Sequence, residues 1–203
     1  MKKREFLTSA AMLGVTTTSA FTATSATGAK RDHAACAPAP AILTLSGAIS
    51  RTNRGALDPA FDQMMNRQLV KFSGAYTFDY PTLTAMPAVT IKPTIEYDAK
   101  PHTLSGPLLT SVLEQAGAPT AGDTRIGMRA VDGYVVQTTL ENVRAWRFIV
   151  ATHLDGKPMA LGGLGPLWAI YDADHIAELA TKPLKDRFVL SPWGLYQIQV
   201  TAA

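Results

Sequence analysis

Two short stretches bound what this chain can fold into. In RIGMRAVDGYVVQTTL, Arg125 to Leu140, alternating apolar and polar runs flank Asp132-Gly133, and in FIVATHLDGKPMAL, Phe148 to Leu161, a similar pattern surrounds Asp155-Gly156. A period of two places successive side chains on opposite faces of a sheet, and an Asp-Gly pair tolerates the positive φ angles of a tight turn. Two antiparallel hairpins are therefore expected.

The other segments fit around them. ILTLSGAIS, from Ile42, alternates as a first strand, and GPLWAIYD and GLYQIQV supply two late strands. AVTIKPTIEYD reads as a strand that Pro93 confines to an edge or a bulge. Asp58-Pro59 opens a helix expected to run to Phe72, with Phe61, Met64, Met65 and Leu69 on a buried stripe. SGAYTFDYPTLTAMP reads as loop. Ser105 is expected to cap a helix opened by Gly106-Pro107, with Leu108, Leu109, Val112, Leu113 and Ala116 on its inner face and Gly117 at its end. DADHIAELA reads as a short helix capped by Asp172 or Asp174. Strands outnumber helices, without a βαβ rhythm or an internal repeat. The expected class is α+β, with a mixed, mostly antiparallel sheet and short helices.

With 47% hydrophobic and 17% charged residues in 203, the chain has apolar material for one core. No stretch approaches the ~18 consecutive apolar residues of a membrane span. Residues 1–29 read as an export signal: Lys2, Lys3 and Arg4 precede a weakly apolar Ala/Thr/Ser run that ends in small residues. The opening KREFL is similar to a twin-arginine motif with Lys3 in place of the first arginine, and an ordinary secretory signal is the other reading. Residues 30–41 form a Pro/Ala linker, and 42–203 the domain. A periplasmic or secreted location follows. The leader carries two of the three net positive charges, which leaves one for the rest and no basic surface for nucleic acid. Cys36, in DHAACAPAPA, is the single cysteine, so an intrachain disulfide is excluded. It reads as a spare thiol or as a lipid-anchored residue, although His33 stands where a lipoprotein signal usually has leucine.

No phosphate loop, nucleophile elbow or zinc spacing is present. His102 reads as a solvated loop residue, or as a ligand or acid–base group at a strand-to-helix edge. The aspartates sit in turns and caps, where they bond the local backbone. Tyr97, Tyr134, Trp168, Tyr171 and Trp193 fall at or near strand ends and suit either packing or a pocket.

The order IEYDAKPHTLSGPLLTSVLEQAGAP, AVDGYVVQTTLENV, ATHLDGKPMAL, GPLWAIY, PWGLYQIQV resembles the molybdopterin-binding oxidoreductase domain of the sulfite oxidase type, from about Leu43 to Val200. The resemblance implies that fold and a molybdenum cofactor. In catalytic members a cysteine thiolate before the LSGPLL-like helix holds the metal, and basic residues near the last strands hold the pterin phosphate. Thr90 to His102 contains no cysteine, and only Lys182, Lys185 and Arg187 stand near the last strands. The resemblance thus carries the fold over, but not the metal ligand. It implies an envelope protein without thiolate-ligated molybdenum that binds a small ligand or partners a sensor or redox protein. Tyr97, Asp98, His102, Tyr134 and Trp193 are the candidate pocket residues. An active molybdenum enzyme with Asp98, Tyr97 or His102 as ligand is the alternative, and an interaction module with no pocket is a third reading. A cavity beside Tyr97, Tyr134 and Trp193 favours binding.

Overall fold

The computed structural model describes residues 39–202; the stretch expected to be an export signal, most of the expected linker and Cys36 lie outside them. Eleven strands and five short helices follow in the order β1 Ala41–Gly47, α1 Gln63–Arg67, β2 Ala75–Asp79, α2 Tyr80–Ala85, β3 Ala88–Ile91, β4 Leu104–Pro107, α3 Leu109–Gln115, β5 Arg125–Ala130, β6 Val135–Thr139, α4 Leu140–Ala145, β7 Ile149–Ala151, β8 His153–Leu154, β9 Lys157–Pro158, β10 Trp168–Ile170, α5 Ala177–Ala180 and β11 Leu195–Thr201. The main sheet has the order β2-β1-β11-β5-β6, a second has β3-β4-β8-β9, and β10 pairs with β7. Among named strands only β1 and β11 run parallel; the remaining pairings are antiparallel. The α+β class and the mixed, mostly antiparallel sheet are those expected.

Both Asp-Gly turns form. Gly133 has φ 92°, and Asp132 Oδ1 accepts the Tyr134 amide at 2.9 Å. Asp155 and Gly156 have φ 49° and 75°, the positive pair that a two-residue hairpin needs. The first hairpin joins full strands. The second is clipped to β8 and β9, because β7 leaves the pattern to pair with β10.

β5 shows how the core is built. Ile126, Met128 and Ala130 point inward and are buried, while Arg125, Gly127 and Arg129 point outward. On the inner side Leu43, Leu45, Phe78, Ile198 and Val200 join Val112 and Leu113 of α3, Val143 of α4, and Phe148, Trp168 and Tyr171 in one apolar cluster.

Four expectations are corrected. The helix expected from Asp58 to Phe72 is only α1: Asp58 and Asp62 bond each other's segment locally, and Leu69 adopts φ 60° just beyond it. Of its expected stripe Met65 alone is buried, and Phe61 and Leu69 are over four-fifths exposed. The segment expected to be loop supplies β2 and α2, capped by Asp79, whose Oδ1 accepts the Thr82 amide at 2.8 Å. Ser105 caps nothing; Ser105-Gly106-Pro107 is strand, and α3 starts at Leu109. Gly106 packs so tightly on β7 that a Cβ would lie 2.0 Å from the Val150 carbonyl oxygen. DADHIAELA splits into a 3-10 turn, Ala173–His175, and α5, neither with a side-chain cap.

Candidate functional site

The site is built by three connections at one end of the main sheet. The first follows β3. Thr94 bridges Pro101, and the Ile95 amide donates to the Lys100 carbonyl at 3.0 Å, closing a tight loop. Ile95 is buried and anchors it, which pushes Tyr97 outward at 54% exposure. The second is the β5–β6 turn, which presents Asp132 and Tyr134. The third is the run from Lys185 to Trp193 ahead of β11. The Tyr134 hydroxyl donates to the Val189 carbonyl at 2.9 Å and ties the second connection to the third.

These connections enclose a cleft of 320 Å³, whose lining includes Glu96, Tyr97, Asp132, Tyr134, Lys185 and Trp193. Tyr97 and Trp193 also line a neighbouring 470 Å³ hollow with Val131 and Gly162 to Leu164. Tyr97 stands 6.3 Å, ring to ring, from buried Trp168. Partial burial, and then the Glu96 carboxylate beside it, push the Tyr97 phenol above its ordinary value, so it stays a neutral donor at neutral pH. Two carboxylates against one ammonium leave the lining net negative. Aromatic faces with fixed polar groups are the usual make-up of a small-molecule site.

The structure gathers Tyr97, Tyr134 and Trp193 on one cleft, and leaves Asp98 and His102 outside its lining. His102 is not a solvated loop residue. Its Nδ1 lies 2.6 Å from Asp155 Oδ2 and its Nε2 3.1 Å from Asp98 Oδ2, with 22% of the side chain exposed. Hydrogen bonds to Asp155 and Asp98 raise its pKa, and the bond to His102 lowers that of each carboxylate. Each ring nitrogen thus faces a carboxylate, and the ring is engaged on both sides. Asp155 also accepts the Thr103 amide at 2.9 Å, so the cluster fastens the loop bearing Tyr97 to the β8–β9 turn.

Arg187 is likewise engaged. Its guanidinium donates to Asp174 at 2.8 Å and to the carbonyls of Ala180 and Lys182 at 2.7 and 2.9 Å. Asp174, expected as a possible helix cap, also accepts the Thr94 amide at 2.7 Å and so pins the loop below the cleft. Among the described residues no group of three His, Cys, Asp or Glu side chains could hold a metal ion. The residues present do not fit a molybdenum cofactor of the resembled kind. Residues 39–202 contain no cysteine, the histidine nearest the expected ligand position is held between Asp98 and Asp155, and only Lys185 could meet a phosphate in a cleft that also carries Glu96 and Asp132.

Sequence reasoning missed Glu96 and Phe188, and read Asp132 only as a turn residue. The aromatics carried a signal by falling at strand ends; Glu96 had none, because its role depends on how the loop around Ile95 closes.

No family model and no curated protein matches the chain. Among solved structures it is similar to the sulfane dehydrogenase SoxCD from Paracoccus pantotrophus, at 10% identity and a TM-score of 0.53, over 78% of this chain and 37% of that one. The likeness is one of fold, and this chain spans little more than a third of that chain's length.

Proposed function

We propose that the chain is a small-molecule-binding protein of the cell envelope, built on an oxidoreductase-type fold and without thiolate-ligated molybdenum. One observation carries the reading: Tyr97, Tyr134 and Trp193, distant in sequence, line a single cleft with Glu96 and Asp132, while His102 is bound on both nitrogens. The lining suits a small organic cation, because ring faces and carboxylates both attract positive charge. The reading of residues 1–29 as an export signal supplies the envelope setting, in which a ligand-loaded form would report to a sensor or redox partner.

Titration of the Trp193 fluorescence with a panel of small amines is expected to give saturable quenching, abolished in Trp193→Phe and weakened in Tyr134→Ala. Elemental analysis of protein purified from its native envelope tests the other half of the reading. Stoichiometric molybdenum overturns it, and so does a complete absence of amine binding.

A further inference from the structure

The outward face of the main sheet carries a second concavity that shares no lining residue with the aromatic cleft. On β5 the outward positions are Arg125, Gly127 and Arg129. Gly127 pairs with Gln199 of β11 on one side and Gln137 of β6 on the other. The missing side chain at Gly127 leaves a 180 Å³ pit walled by Arg125, Arg129, Gln137, Gln197 and Gln199.

Nothing in the backbone asks for glycine here. Gly127 has no positive φ, and a Cβ would lie 3.6 Å from the Gln199 Cβ, an ordinary contact. Glycine inside a strand costs stability and often marks the close approach of a ligand. One wall is rigid: Gln197, 2% exposed, donates to Ser46 Oγ at 3.1 Å, and Ser46 donates to Gln199 Oε1 at 2.8 Å. The arginines lack what arginines usually find. Among the described residues neither forms an ion pair, no carboxylate lines the pit, and the Arg129 Nε is buried without a hydrogen-bond partner. Two guanidinium groups without ion pairs, beside a pit without carboxylates, offer their terminal N–H groups to an oxyanion, which accepts such donors in pairs.

We propose that this pit is a binding site for a small oxyanion, held between Arg125 and Arg129 over Gly127. The ligand's chemistry is an oxygen pair on phosphorus, sulfur or carbon, either as a free inorganic anion or as the carboxylate end of a small acid. The site does not rest on the cleft's function. The test is calorimetric titration of the full chain with inorganic phosphate, sulfate and succinate in turn, at fixed ionic strength. At least one is expected to bind saturably at a single site with a dissociation constant in the millimolar range or tighter. A succinate response without phosphate or sulfate would assign the carboxylate source, and the reverse the inorganic one. Arg129→Gln is expected to weaken binding about ten-fold, the loss of a charge-assisted bond. Gly127→Val fills the pit and is expected to abolish binding while the protein unfolds no earlier, and Arg144→Gln, at an exposed arginine elsewhere, is expected to change nothing. If Arg129→Gln does not fold, Gly127→Val decides alone. No saturable binding of any of the three anions overturns the site, as does binding that Gly127→Val leaves intact or that Arg144→Gln weakens equally.

Discussion

His102 shows how much one residue's neighbours decide. It is fixed between Asp98 and Asp155, and the sign of its pH dependence follows from the three shifts. Its folded pKa is raised, so its contribution is complete below the ordinary imidazole value of 6.5 and is lost as pH rises through the raised value. The two carboxylates are lowered, so theirs is complete above the ordinary 3.8 and is lost as pH falls through the lowered values. The loop from Pro93 to Thr103 is therefore expected to be held best in mildly acidic solution, between those two ordinary values. Amide exchange at His102, which donates to the Pro93 carbonyl, and at Thr103 reads this directly. Protection should fall toward alkaline pH, and His102→Gln should flatten that limb; equal protection in mildly acidic and alkaline buffer contradicts the clamp. Asp155 lies 53 residues from His102, so no local pattern announces that half of the clamp, whereas Asp98, only four residues away, was read as a turn aspartate or a pocket candidate. A second residue-scale test uses Tyr171, whose hydroxyl donates to the Arg187 carbonyl at 2.7 Å inside the core. Tyr171→Phe leaves that carbonyl unpaired and should cost about 1–3 kcal/mol in denaturant unfolding.

Among the elements, β4 is the most instructive misreading. Ser-Gly-Pro before an apolar run has the composition of a helix start, and sequence alone could not show that the Gly106 backbone lies against β7. Gly106→Ala drives a methyl into the Val150 carbonyl, backbone against backbone, and is expected to cost at least about 2 kcal/mol. An unchanged unfolding midpoint would mean the two strands are not so closely apposed. Thr139 offers a milder comparison: its Oγ1 accepts the Asn142 amide at 3.2 Å at the head of α4, so Thr139→Ala should cost about 1 kcal/mol. Legibility followed the range of the cause. The Asp-Gly turns, the edge position imposed near Pro93 and the inner face of α3 were readable, because each is set by residues within a turn or two of one another. The false stripe on α1 was not, because a 3.6 spacing of Phe61, Met64 and Leu69 reports amphipathicity only if a core lies opposite. Likewise the cleft aromatics were legible as strand-end residues, but their convergence with Glu96 and Asp132 was not.

For the whole molecule, the connection that matters most is between the two ends of the described chain. β11 is the middle strand of the five-stranded sheet, with β1 parallel on one side and β5 antiparallel on the other. Thr44 pairs with Gln197 and Leu45 with Ile198, residues more than 150 positions apart. Closing so long a loop costs entropy before any contact rewards it, so β1 cannot find its parallel neighbour until the intervening elements have collapsed. The five-stranded sheet, and with it the wall of the proposed oxyanion pit, is therefore expected to complete last. A chain ending at Trp193 lacks β11 and should fail as a unit, leaving β1 and β5 as facing edges with no strand between them. Circular dichroism with denaturant is expected to show a broad, non-cooperative transition for that truncation, and a single cooperative one for the full chain. In the full chain, refolding should be dominated by a phase of milliseconds to seconds, as for folds rich in distant pairings. Ile198→Ala should slow that phase less than it speeds unfolding, because a contact formed after the barrier changes mainly the unfolding rate. If Ile198→Ala instead slows folding by its full stability loss, the terminal strands pair before the barrier and the order of assembly is reversed.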